Sequence, residues 1–95
     1  MHIALDYDGT YTADPKLWSA FVALAKVQGH RVSIVTMRYD GGAEVLAPSI
    51  CDQVDDVIYT GRKAKAEYVK AQGEHVDVWI DDKPRFILED AWVGD

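Results

Sequence analysis

The chain has 95 residues, 48% of them hydrophobic and 27% charged, with seven glycines and three prolines. This composition describes one small globular domain and excludes a disordered, collagen-like or low-complexity chain. Sixteen acids against ten Lys and Arg leave a formal charge of −6, which disfavours general nucleic-acid binding, because phosphates reward positive charge.

His2-Ile3-Ala4-Leu5 is a short apolar run ending on an acid, and it reads as a buried strand. Asp14-Pro15 opens a helix, with Asp capping free N–H groups and Pro suited to the first helical position. From Lys16 to Gln28 the spacing is helical, with Leu17, Trp18, Phe21, Val22, Leu24 and Ala25 on one broad face, and Gly29 stops it. Arg31 to Thr36 reads as a second buried strand. Gly41-Gly42 breaks the chain, and a short helix is expected over Ala43–Ala47, ended by Pro48. Val57-Ile58-Tyr59 is the third strand, Lys63 to Gln72 a weaker helix, Val76 to Ile80 the fourth strand, and Phe86-Ile87-Leu88 the start of a last short helix.

Strands alternating with helices imply βαβ units. The expected fold is therefore α/β: a three-layer, Rossmann-like parallel sheet of four to five strands, with helices on both faces. Functional groups of such sheets gather beyond the carboxyl ends of the strands. Asp6 and Asp8 follow the first strand, Thr36 ends the second, and Asp81-Asp82 follow the fourth. The topology thus brings together polar residues that lie far apart in the chain.

Four acids at one rim repel one another unless a cation joins them. Hard oxygen ligands with open positions suit Mg²⁺, so Asp6, Asp8, Asp81 and Asp82 are the candidate metal residues. A carboxylate can attack phosphorus to give an aspartyl phosphate. A second carboxylate two residues on can protonate the leaving oxygen and later activate water. Taken singly, Asp-x-Asp-Gly is a common turn and Asp-Asp before Lys-Pro a helix cap; jointly, at successive strand ends, they form a candidate site.

The motifs also carry a family resemblance. Ile3-Ala4-Leu5-Asp6-Tyr7-Asp8-Gly9-Thr10 resembles the first signature of the haloacid dehalogenase superfamily. Ser33-Ile34-Val35-Thr36 is similar to its second motif, Arg62-Lys63-Ala64-Lys65-Ala66-Glu67 to its Lys-bearing third, and Val78-Trp79-Ile80-Asp81-Asp82 to its acidic fourth. The match runs in order over about residues 1 to 90. It implies Asp6 as nucleophile and metal ligand, and Asp8 as general acid/base that offers its backbone carbonyl to the metal. It further implies Thr36 bonding the phosphoryl oxygen, and Asp82 ligating Mg²⁺ with Asp81 behind it. One lysine would neutralise charge: alignment with Lys-Pro-x-Pro favours Lys63, and Lys65 remains open. An Asp at position 8, where dehalogenases lack the acid and ion pumps carry Thr, implies a phosphoric monoester hydrolase.

Larger members insert a cap domain after the first motif or between the second and third. Here Tyr11-Thr12-Ala13 alone separate Thr10 from Asp14, and 26 residues lie between Thr36 and Lys63. The expectation is a single capless domain, open to a bulky substrate or to a lid from a second copy of the chain. Thr10 and Arg38 are the expected substrate contacts; a guanidinium binds oxyanions in bidentate fashion. Arg62, Lys63, Lys65, Lys83 and Arg85 near this rim suggest a nucleotide or nucleic-acid end, although a phosphorylated small molecule fits as well. The outline is similar to the 3′-phosphatase part of polynucleotide kinase/phosphatase enzymes. No apolar run reaches the ~18 residues of a membrane span. A lone cysteine, Cys51, together with the lack of a signal-peptide pattern, suggests a cytoplasmic protein. Two alternatives stand beside the phosphatase: a catalytically silent metal- or phosphate-binding scaffold, and a phospho-receiver domain. The receiver would need its acceptor Asp at the end of the third strand, where Tyr59-Thr60 stand.

Overall fold

The structure is a computed structural model that describes residues 1–91. Four strands, β1 (His2–Leu5), β2 (Arg31–Thr36), β3 (Asp56–Tyr59) and β4 (Val78–Ile80), form one sheet of order β3-β2-β1-β4. All three pairings are parallel, so the domain is α/β and Rossmann-like in topology. A fifth strand, left open by the sequence, is not formed among the described residues.

Helix α1 (Pro15–Val27) crosses from β1 to β2. Asp14 caps it by accepting a bond from Leu17 N at 3.1 Å, and Pro15 occupies the first turn, where a missing N–H costs nothing. Along the strands, alternate residues go to two clusters, as the pleat requires. Ile3, Leu5, Val32 and Ile34 pack with Val22 and Ala25 of α1, while Ala4 and Val35 pack with Val69. Each large side chain buried this way contributes about 1.5–3 kcal/mol. The buried face of α1 is narrower than its sequence suggests. Trp18, Phe21, Val22 and Ala25 face the core, but Leu17 and Leu24 are exposed, because the sheet under the helix covers a single stripe.

Between β2 and β3 the expected helix over Ala43–Ala47 is replaced by one 3₁₀ turn, Gly42–Glu44. Pro48 begins a helix, α2 (Pro48–Cys51), rather than ending one. Proline disfavours helical backbone at the residue before it, and Ala47 is accordingly extended, with ψ 146°. Helix α3 (Lys65–Ala71) starts two residues later than expected, because Gly61 and Arg62 both take left-handed backbone (φ 59° and 72°) and Lys63 closes a turn on Thr60. Helix α4 (Arg85–Leu88) follows β4. No helix among the described residues is long and apolar enough to cross a membrane.

The strand order places the site. The chain moves from β1 to β2 to β3 on one side, then returns to lay β4 on the other side of β1. The carboxyl ends of β1 and β4 therefore flank the point where the strand order reverses, which in open α/β sheets is the crevice that binds ligands.

Candidate functional site

Leu5 is in register with Ile80, so Asp6 and Asp81 emerge side by side, and Asp6 N donates to Ile80 O at 2.9 Å. Lys65, the first residue of α3, is buried between them. Its Nζ lies 2.7 Å from Asp6 Oδ1 and 2.6 Å from Asp81 Oδ2. Charge-assisted bonds of this length are the strong ones. Lys63, which the motif alignment favours, is instead 68% exposed and only 4.0 Å from Asp90 at the surface. The late start of α3 is the cause: the Gly61-Arg62 turn uses up the residues that would have brought Lys63 inward.

Thr10 was expected to meet substrate, yet it is buried and turned towards the acids. Its Oγ1 lies 3.0 Å from Asp6 Oδ2 and 3.2 Å from Asp82 Oδ1, and it accepts from Asp82 N at 3.1 Å. One hydroxyl hydrogen serves one carboxylate at a time, so Thr10 ties Asp6 to Asp82. Asp82 also explains Gly9. The glycine has φ +86°, and a Cβ there would stand 2.8 Å from Asp82 Cγ. Both the left-handed turn and the close approach of the carboxylate require a residue without a side chain.

Asp8 is half exposed and held by Arg38. The guanidinium donates from Nε to Asp8 Oδ2 and from Nη2 to Asp8 Oδ1, both at 2.8 Å. Arg38 also donates to Glu44 O at 3.2 Å and lies 5.1 Å from the centre of the Tyr7 ring. The expected substrate arginine is thus engaged with the expected general acid, and this pairing raises the pKa of Arg38 above its ordinary value. Thr36 is buried at the end of β2, where its Oγ1 accepts from Arg38 N at 3.3 Å. Asp6, Asp8, Thr36 and Lys65 all line one cleft of about 430 Å³, at whose mouth Lys83 and Arg85 are exposed.

Asp6, Asp81 and Asp82 bring carboxylate oxygens within 4.8 Å of one another, and the Asp8 carboxylate stands outside this group. Burial pushes the Asp6 pKa up to about 6, against the opposing effects of the Lys65 hydrogen bond and charge. A hydrogen bond with Asp82 and the charge of Asp81 push it further in the same upward direction. Three acids face one ammonium here, which leaves two uncompensated negative charges. A hard oxygen donor set with an excess of that size fits a divalent cation such as Mg²⁺.

Arg62, expected at the rim as one of several basic residues, lines the cleft itself, and its left-handed backbone is what motif reading did not foresee. Its Nη1 donates to Met37 O at 2.6 Å, and its guanidinium lies 5.1 Å from the Tyr39 ring centre. The signal for it was the Thr60-Gly61 turn that follows a strand. Nothing local marks the next residue as left-handed, since non-glycine residues rarely adopt that backbone. Comparison with protein-family models, curated proteins and solved structures finds no match to the chain.

Proposed function

We propose that this cleft hydrolyses phosphomonoesters with the help of Mg²⁺, through a phosphoryl group carried on Asp6. The observation that supports the reading most is the buried Asp6–Lys65–Asp81 bridge at the point where the strand order reverses, with Asp82 beside it. The ordered resemblance to the haloacid dehalogenase motifs points the same way. Asp6, Asp81 and Asp82 would hold the metal, which when bound neutralises charge on the cluster and on the phosphate.

The chemistry of the chain's own residues then runs in two steps. A carboxylate oxygen of Asp6 attacks phosphorus, the P–O ester bond breaks, and Asp8 gives its proton to the departing alkoxide. Water next attacks the aspartyl phosphate, Asp8 takes the water's proton, and inorganic phosphate leaves with Asp6 restored. Lys65 and Thr36 stabilise the charge on the transferring group. An arriving phosphate competes with Asp8 for the guanidinium of Arg38, which frees Asp8 to move protons. Phosphorylated small molecules, nucleotides and nucleic-acid ends all have access to a cleft whose rim residues Asp8, Asp82 and Lys83 are exposed. A second copy of the chain can supply a lid. The lone cysteine accords with a cytoplasmic setting.

Hydrolysis of p-nitrophenyl phosphate with Mg²⁺, with EDTA, and by Asp6→Asn tests the reading. Turnover is expected only for the wild type with Mg²⁺, and activity that survives both EDTA and the substitution contradicts it. The closed Arg38–Asp8 pair favours a second reading, a metal- or phosphate-binding protein without turnover. A folded protein that binds Mg²⁺ but hydrolyses nothing in a broad phosphoester panel would select that one.

A further inference from the structure

The acidic cleft does not end at its own rim. A second, larger cleft of about 970 Å³ adjoins it, and Arg62, Arg85 and Phe86 line both. Two guanidinium–ring pairs stand along it: Arg62 lies 5.1 Å from the centre of Tyr39, and Arg85 lies 4.6 Å from that of Phe86. Tyr39 is 48% exposed. It is held in place from behind, because its ring lies so close to Gly61 that a Cβ there would stand 3.1 Å from the ring carbons. Arg62 is fixed as well, by left-handed backbone (φ 72°) and by the bond from Nη1 to Met37 O. A strained residue at a cleft boundary is a common mark of a binding role.

From this continuity we infer that the larger cleft receives the nucleoside of a nucleoside monophosphate whose phosphate sits in the acidic cleft. The inference rests on the phosphatase reading for the place of the phosphate. Planar bases stack on aromatic rings and on guanidinium planes, and this cleft offers both. Its volume lies within the range that holds ligands of about this size. Charge selects a single nucleotide over a polymer. Arg62, Lys63 and Arg85 are matched along the walls by Glu67, Glu89 and Asp90, so further backbone phosphates would gain no net attraction. The −6 charge of the whole chain adds to that discrimination. The same wall carboxylates can accept hydrogen bonds from base amino groups and ribose hydroxyls.

Two readouts test the groove separately from the chemistry. The first is kcat/KM for adenosine 5′-monophosphate against ribose 5-phosphate, with Mg²⁺. The nucleotide should be preferred by about 10-fold or more, the usual scale of a base–aromatic stack. Tyr39→Ala should erase most of that preference, while Tyr39→Phe, which keeps the ring, should retain it. The second is binding of adenosine, which has no phosphate, followed by NMR at the backbone amides of Tyr39, Arg62 and Phe86. Adenosine should shift these resonances whether or not the protein turns over any ester. If no phosphomonoester is hydrolysed but adenosine still shifts them, the groove stands and the phosphatase reading falls. Equal kcat/KM for the two esters, with no adenosine shift, overturns the groove and leaves the phosphatase reading intact. A phosphorylated oligonucleotide preferred 10-fold over the mononucleotide overturns the single-nucleotide assignment.

Discussion

The two ends of the sheet carry similar residues arranged to opposite effect. At the amino end, His2 bonds His75 O at 2.8 Å and Ser33 Oγ at 2.7 Å, and Ser33 donates in turn to Asp56. Arg31 reaches Glu74 at 2.7 Å and Asp56 at 3.0 Å, while Asp77 accepts from His2 N at 2.7 Å. Each of these acids has a donor of its own. The Arg31 hydrogen bond holds the Glu74 pKa below its ordinary value, and the His2 backbone bond does the same for Asp77. At the carboxyl end, Asp6, Asp81 and Asp82 converge on one ammonium, and the Asp6 pKa rises to about 6, chiefly through burial. One end uses charge to hold strands together. The other gathers more charge than it neutralises, which is the arrangement expected where a ligand completes the balance.

Substitutions at the two ends should therefore separate activity from stability. The largest effect is expected from Asp6→Asn, which removes the proposed nucleophile and should lower kcat by at least about 1,000-fold. The same change should raise the urea midpoint at pH 8 in EDTA, since it discharges a buried acid and leaves Lys65 paired with Asp81. Next comes Lys65→Met. It strands two carboxylates in a buried site and should cost about 3–5 kcal/mol in metal-free protein, whereas Lys63→Ala should stay within about 0.5 kcal/mol. A similar cost for the two lysines would remove the contrast between them.

The ends should also respond to pH with opposite sign. The folded-state pKa of Asp6, about 6, lies above its ordinary 3.8, so the native state binds more protons between those values. Stability in EDTA should thus fall as pH rises from about 4 to 6, by up to about 3 kcal/mol from this group, and Asp6→Asn should abolish that slope. Glu74 and Asp77 have lowered values, so their contribution is present above their ordinary 4.5 and 3.8 and is lost as pH falls below them. Gly9→Ala should cost about 1–3 kcal/mol through its left-handed backbone and the nearby Asp82, and the thermal stabilisation expected on adding Mg²⁺ should be smaller in this variant than in the wild type. Arg31→Ala, at the well-matched end, should cost about 1 kcal/mol or less, because its side chain is 40% exposed. Denaturant titration of each variant measures these differences.

Signals that are local in the chain were legible. The limits of β1 and β2 follow from buried apolar runs, and Asp14-Pro15 marks the start of α1 because cap and proline act within one turn. The convergence of Asp6 with Asp81 was legible too, since parallel topology alone brings strand ends together. What the chain concealed depends on register and on competition between partners. A two-residue delay in α3 exchanges Lys63 for Lys65, and the left-handed Arg62 that causes it has no local signature. Arg38 has the chemistry to bind a phosphate, yet Asp8 is a nearer anion, and a pairing across 30 residues is set by the fold. Thr10 turns inward for the same reason: Asp82, distant in sequence, arrives beside it. Pro48 was ambiguous because proline both ends helices and begins them.

Asp8→Asn offers the most direct test of Asp6 as the phosphoryl carrier. An aryl phosphate leaves without needing a proton, so this variant should still transfer its phosphoryl group, but it should activate water poorly. Mass spectrometry of the rapidly quenched variant with Mg²⁺ should find a phosphoryl adduct on the peptide that carries Asp6, and no adduct in EDTA or in the Asp6→Asn/Asp8→Asn double variant. Turnover of the aryl phosphate with no adduct at Asp6, or with the adduct on another residue, would contradict the mechanism.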